Sequence, residues 1–267
     1  MKVDMELLKK LRNATFAPLK DCKDALVEAE GDFSRAQDIL KEKGILKAAK
    51  KADRDTNDGL VLVKQDGNVT FGIKMGCETD FVAKNDLFLS LMEEVSGLVK
   101  SYNKPFRSLA EMDSNYLETV ITPVIAAGIG SIGENIKLVD AFYIEGNTYV
   151  YTHPGSKVAT VVVYEGNDDG AVSKELALQI TAMSPLYMSV ETVPQSMKDE
   201  LKAEFIEDMK DSGKPAEMIE KIVEGKVMKK YNEIVLLEQG SIRDESKKVK
   251  HIIPAGYSLV DYIRFSI

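Results

Sequence analysis

Apolar residues in the first part of the chain recur at intervals of three and four. Leu7, Leu8 and Leu11 form one stripe, Leu19, Cys22, Ala25, Leu26 and Ala29 a second, and Ala36, Ile39 and Leu40 a third. That spacing places each set on one face of a helix, so residues 1 to about 45 read as three short helices. Pro18 suits the first turn of the second helix, where its missing N–H does no harm. Asp32 is a good N-cap for the third, and Gly44 is expected to close it as the C′ residue. Residues 47–55 carry charge and little apolar content, the pattern of a solvated helix end or a tether.

From Gly59 the period changes to two. Leu60-Val61-Leu62-Val63-Lys64 and Val69-Thr70-Phe71-Gly72-Ile73 flank Asp66-Gly67, a strong hairpin signal. A helix follows with Phe88, Leu91, Met92, Val95 and Leu98 on one side. The plan then repeats. Ala141–Ile144 and Thr148–Tyr151 flank Gly146-Asn147, Ala159–Tyr164 follows, and a further helix carries Leu176, Leu178, Ile180 and Met183. After Pro194 the chain is helical and charged, interrupted at Gly213-Lys214-Pro215. That predicts a helical hairpin over about 195–232, in which Met197, Leu201, Phe205, Ile206 and Met209 face Met218, Ile219, Ile222, Val223 and Val227. It could form a protruding arm. Tyr262–Phe265 reads as a terminal strand. The predicted class is α+β: a three-helix bundle with its linker (1–50), then two related subdomains with antiparallel sheets (55–140 and 141–267).

Composition narrows the function. The chain has 267 residues, 44% of them hydrophobic, with no apolar run long enough to span a membrane. The N-terminus has no leader character, so the protein is expected to begin here and to stay in the cytoplasm. Two cysteines, Cys22 and Cys77, fit a reducing compartment. The net charge of −8 argues against direct binding of nucleic acid. Two scattered histidines and two cysteines offer no metal site.

Candidate chemistry is sparse. Gly128-Ile129-Gly130-Ser131-Ile132-Gly133 matches the dinucleotide fingerprint, the basis of an alternative reading as a nucleotide-binding enzyme. That site needs a strand before the glycines and a helix after them. Here Asn135–Asp140 alternate like a strand, and Pro123 disfavours a central strand upstream. No P-loop pattern occurs, so a bound nucleotide would have to belong to a partner. Glu78 and Asp80 would share a face if they lay on one strand, but nothing else supports a hydrolytic pair. Cys77 reads as a small buried residue rather than a nucleophile. His153 sits in the loop Tyr151–Val158 with no partner group visible for catalysis. The most distinctive stretch is Thr79-Asp80-Phe81-Val82-Ala83-Lys84-Asn85, which sets a large aromatic beside a carboxylate on a loop just past a strand. Two readings of that ring stand level: offered outward to a partner's pocket, or folded back into the core.

The string Met75–Asn85 resembles the signature of the elongation factor Ts family. So do Leu11-Arg12 with Asp21–Leu26 and Glu28–Asp32, Ile132-Gly133-Glu134-Asn135, Ala182–Tyr187, the stretch from Gly213 to Gly225, and Leu236–Gln239. The resemblance runs in order over nearly the whole chain. It implies a ubiquitin-associated-like N-terminal bundle and a guanine-nucleotide exchange factor for elongation factor Tu, with no covalent catalysis and no cofactor of its own. It also implies that Thr79, Asp80, Phe81 and Val82 contact the GTPase and dislodge its Mg²⁺, with Lys23, Ile132, Gly133 and His153 as further contacts. A homodimer through the helical hairpin stays open, as does a ubiquitin-type adaptor based on the bundle alone. Phe16 and Pro18 stand where the family usually has glycines, and Leu138 and Val139 where it usually has arginines. Gly240-Ser241 replaces the usual Pro-Phe pair.

Overall fold

The computed structural model describes residues 3–15, 17–168 and 170–267, the side chain of Asp211 aside. Phe16 therefore lies outside the described residues. The chain divides into two compact units. The first comprises Met1–Glu145, Pro154–Val158 and Phe265–Ile267; the second comprises Gly146–His153 and Ala159–Arg264.

The first unit begins with the predicted bundle: α1 (Met5–Thr15), α2 (Leu19–Glu28) and α3 (Phe33–Ala49). Leu8, Leu11, Cys22, Ala25, Leu26 and Ala36 form its core. Pro18 occupies the N-cap of α2, and the Asp32 carboxylate caps α3 by accepting from the Arg35 N–H at 2.9 Å. Gly44 does not end α3, contrary to the expectation from its residue type. It lies inside the helix, which runs on to Ala49.

The reason is a helix crossing. A Cβ on Gly44 would lie 3.3 Å from the Ala126 carbonyl oxygen. One on Gly130 would lie 3.1 Å from the Gly44 Cα, and one on Gly128 only 2.4 Å from Leu91 Cδ2. Two helix backbones meet where side chains are missing.

The strands β1 (Asp58–Asp66) and β2 (Val69–Cys77) form the expected hairpin. Asp66 pairs with Val69, so the two-residue turn is Gly67-Asn68, one position later than read. Gly67 has φ +59°, which matches a turn with glycine at its first central position. A one-turn helix, α4 (Asp80–Ala83), and the long α5 (Asp86–Tyr102) follow. Then α6 (Ser114–Tyr116) runs through a π-helical stretch, Leu117–Ile121, into α7 (Thr122–Ile132). β3 (Ile136–Glu145) closes the sheet in the order β1-β2-β3, antiparallel throughout. Phe71, Ile73 and Met75 of β2 pack on Phe88, Met92, Val95 and Val99 of α5 and on Ile121, Ile125 and Ile129. The segment Pro154–Val158 returns to this unit: the Val61 N–H donates to the Ser156 carbonyl at 2.8 Å, and Lys157 pairs with Asp58.

The Gly146-Asn147 turn does not join two strands of one hairpin. β3 belongs to the first sheet, whereas β4 (Asn147–Thr152) pairs with β5 (Val158–Gly166) and starts the second, ordered β4-β5-β6 with β6 at Tyr257–Ser266. Residues 141–144 are all buried and pair with Thr70–Ile73 of β2, and Ala141 and Tyr143 belong to the first core. The internal repeat is real but begins one strand later: hairpin, helix, third strand. It extends to the loops. α5 and α8 (Ala171–Met183) both end on a left-handed non-glycine residue, Asn103 (φ 52°) and Ser184 (φ 47°). Each is followed by an isolated bridge, Phe106 to Tyr143 and Tyr187 to Val235.

In the second unit Leu176, Ala177 and Ile180 of α8 pack with Val162, Leu236, Val249 and Tyr257. α9 (Gln195–Glu207) and α10 (Ala216–Ile234) form the hairpin, with Val223, Val227 and Tyr231 against Met197, Leu201 and Phe205. Ile206 and Met218 were expected on that seam, yet both are about half exposed, at 49% and 50%. Gly240, at the departure noted above, bridges Lys248, and its carbonyl accepts from the buried Gln179 side chain at 3.1 Å.

Candidate partner-binding site

β2 ends at Cys77, and the chain turns at Thr79 (φ −131°, ψ 154°), the N-cap of α4. The Thr79 hydroxyl accepts from the Val82 N–H at 3.3 Å. Ala83 is buried and Val82 packs on the core, so the turn is anchored by its second half. Phe81 points the other way. It is 81% exposed, the most exposed large apolar side chain among the described residues. The ring thus stands on a short helix rather than on a loop, facing out. Asp80, beside it, pairs with Lys84 one turn on at 2.8 Å.

Glu78 and Asp80 do not share a strand face, because the strand has ended before either. Glu78 accepts from the Asn135 N–H at 2.6 Å and from the Arg54 guanidinium at 3.3 Å. The Asn135 amide, helped by Arg54, holds the Glu78 carboxyl below the usual carboxylate range. Asp80 is engaged elsewhere, with Lys84.

The second loop of the site follows α7. Ile132 packs partly on the core and Gly133 caps the helix at φ 92°, a left-handed position that suits glycine. Next comes Glu134, whose carboxylate accepts the Thr79 hydroxyl at 2.8 Å and the Thr79 N–H at 3.1 Å. Asn135 is 2% exposed, and its side-chain amide donates to the Arg54 carbonyl at 2.7 Å. Lys51 donates to the Gly133 carbonyl. The structure therefore brings Thr79, Asp80, Phe81 and Val82 together with Ile132 and Gly133. Lys23 stands on α2, exposed, and takes no part in this network. His153 belongs to the second unit, exposed, with its Nδ1 3.1 Å from the Tyr151 hydroxyl. Leu138 packs against the first core and Val139 is 45% exposed on β3.

Glu134, Asn135, Lys51 and Arg54 carry the geometry, yet no spacing pointed to them. Their bonds reach 24 positions from Arg54 to Glu78 and 55 to 82 positions for the others, beyond the reach of any local pattern.

The arrangement offers no reactive group. Burial, with Asp58 and Glu134 nearby, pushes the Cys77 thiol up to about 11. Among the described residues no cluster of His, Cys, Asp or Glu could hold a metal, and no helix is long and apolar enough to cross a membrane. The glycines at 128 and 130 sit inside α7, and Gly133 at its end, with no strand leading into them, so the dinucleotide geometry is missing. What remains is an apolar ring on a pinned base, flanked by a carboxylate and an exposed glycine loop.

Comparison with known proteins gives this surface a family. Residues 78–267 match the family model described as Elongation factor TS. The chain is 39% identical to Elongation factor Ts of Hydrogenobaculum sp. (strain Y04AAS1), covering 100% of this chain and 99% of the relative. It is 38% identical to Elongation factor Ts of Aquifex aeolicus (strain VF5), over 99% of this chain and 97% of that one. With the Cutibacterium acnes (strain DSM 16379 / KPA171202) protein of the same name the identity is 36%, over 97% and 96%. The bundle lies outside the span of the family model, but each pairing covers 97% or more of the chain, and the chain belongs to the elongation factor Ts family.

Proposed function

We propose that this protein acts in the cytoplasm as the guanine-nucleotide exchange factor for elongation factor Tu. On this reading it binds the GDP form, disturbs its Mg²⁺ and phosphate site, and promotes GDP release so that GTP can enter. The observation that carries it is the Phe81 ring, 81% exposed on a turn anchored through Thr79, Val82 and Ala83. Among the described residues the ring is no part of the core cluster that Val82 and Ala83 join, and a side chain of this kind contributes most when a partner buries it.

The task is mechanical. A GTPase holds its nucleotide through phosphate contacts to a helix N-terminus and a glycine-rich loop, and through a Mg²⁺ ion that demands near-octahedral geometry. Small displacements of those ligands weaken the nucleotide strongly. In our assignment Phe81 enters an apolar pocket of the GTP-binding domain, while Asp80 and the Thr79–Val82 backbone fix the approach and help to dislodge the metal shell. Ile132 and Gly133 extend the same patch. Lys23 anchors the bundle to the partner, His153 acts near the phosphate loop, and the second subdomain holds a different domain of the GTPase. No bond is made or broken.

Coupling of this kind is reciprocal: if the protein weakens GDP by some factor, GDP weakens the protein by the same factor. The test is the affinity for elongation factor Tu measured with the nucleotide-free and the GDP-loaded GTPase. Much tighter binding to the nucleotide-free form is expected. Equal affinity for both would rule the exchange reading out.

A further inference from the structure

We propose that Glu134, together with the Glu78–Asn135 pair, is a clamp that sets the stance of the Phe81 ring; these are positioning residues for nucleotide exchange, and the inference rests on the exchange reading above. The ring is carried by four helical residues, Asp80–Ala83. A helix that short does not hold itself, because its nucleation is unfavourable in isolation. Its shape must be imposed from outside.

The hydrogen bonds show how. A hydroxyl has one proton and two lone pairs. Thr79 gives its proton to Glu134 Oε1 at 2.8 Å, which turns a lone pair toward the Val82 N–H at 3.3 Å. The Thr79 N–H goes to the other oxygen of the same carboxylate at 3.1 Å. One ionised group thus satisfies both donors of the capping residue, and bonds to a charged acceptor are the stronger kind. The Thr79 carbonyl then accepts from the Ala83 N–H at 3.2 Å. The favour is returned one residue on each side: Glu78, just before Thr79, accepts from the backbone of Asn135, just after Glu134, at 2.6 Å. Asn135 is itself held to the carbonyls of Arg54 at 2.7 Å and Ala52 at 3.4 Å. Two loops, tied by bonds that span 55 and 57 positions, each accept through one carboxylate from the other's backbone. The ring and the Ile132-Gly133 loop therefore meet a partner with their spacing already fixed, and less ordering remains to be done on binding.

Glu134→Gln tests this, because the amide keeps one acceptor where Thr79 presents two donors. Thr79→Val removes the hydroxyl at nearly constant shape, and Thr79→Ser restores it. Hydrogen exchange in the free full-length protein is the first readout. Glu134→Gln and Thr79→Val should speed exchange at the Val82 and Ala83 amides by about 10-fold or more, as expected for loss of a charge-assisted bond. The α5 amides of Val95 and Val99, which report global opening, should keep parental rates, and Thr79→Ser should match the parent.

Stimulated release of labelled GDP from elongation factor Tu is the second readout. Glu134→Gln should slow it about 10-fold in the parent and not at all in a Phe81→Ala background, since the clamp acts through the ring. Unchanged exchange at residues 82 and 83, exchange that rises equally at 95 and 99, or losses that multiply in the double variant would each overturn the clamp. Faster exchange at 82 and 83 with no stimulation of GDP release by the parent protein itself would leave the clamp standing and overturn the exchange reading instead.

Discussion

Replacing Phe81 with alanine removes a ring that stands outside the core cluster of the described residues. A phenylalanine side chain presents on the order of 200 Å², and 81% of Phe81 is open to solvent in the free protein. Roughly 160 Å² is then available for a partner to bury, worth at most about 4 kcal/mol at ~25 cal/mol per Å². Alanine truncation of an anchor in a desolvated pocket typically costs about 2–4 kcal/mol. At about 1.4 kcal/mol per decade, stimulated GDP release should fall between about 30-fold and about 1,000-fold. The fold should not notice, since Val82 and Ala83 supply the anchoring contacts and alanine is the better helix former. The assay preloads elongation factor Tu with a fluorescent GDP and chases it with excess unlabelled nucleotide at increasing concentrations of parent or variant. Circular dichroism checks that the thermal midpoint is retained. A folded Phe81→Ala variant that released GDP at the parental rate would refute the assignment of this ring.

Two further expectations concern the frame. Gly130→Val places a branched side chain where even a Cβ would sit 3.1 Å from the Gly44 backbone; overpacking at that crossing should cost about 1–3 kcal/mol. It should lower the urea midpoint and deprotect α3, and a midpoint equal to the parent's would contradict the crossing. Glu238 is 8% exposed and bonded to Lys248 at 2.5 Å and Lys250 at 2.7 Å. Burial pushes its carboxyl up, but the two lysines outweigh burial and hold it below the usual range. A carboxyl depressed in the folded state stabilises above its unfolded value, about 4.3, and that contribution is lost as pH falls through the folded value. Urea midpoints of Glu238→Gln should therefore change less than the parent's between pH 7 and pH 3; parallel curves would contradict the pairing.

Local pattern made most of the frame readable. The stripes through Leu8, Leu11, Cys22 and Leu26 became the bundle core, and the strand pair around Gly67 became a hairpin. Where reading failed, a distant contact had overridden a local rule. Gly44 looks like a helix end because glycine usually is one, but here α7 needs the space. Ala141–Ile144 looks like half of a hairpin because a turn signal follows, but β2 claims it. At the candidate site the exposed ring stood level between two local readings, and its solvent-facing stance became plain only once Val82 and Ala83 were seen to hold the turn. The cross-loop bonds of Glu78 and Glu134 were not legible, since Glu134 and Thr79 are brought together only by the return of β3 along β2.

The central claim is exchange itself. The most direct measurement follows labelled GDP leaving elongation factor Tu when the unmodified protein is added in amounts well below the GTPase. The account predicts that a small amount of this protein empties the whole GTPase pool, at a rate that rises in proportion to the amount added. Release at the spontaneous rate, at every concentration of the protein, would contradict it.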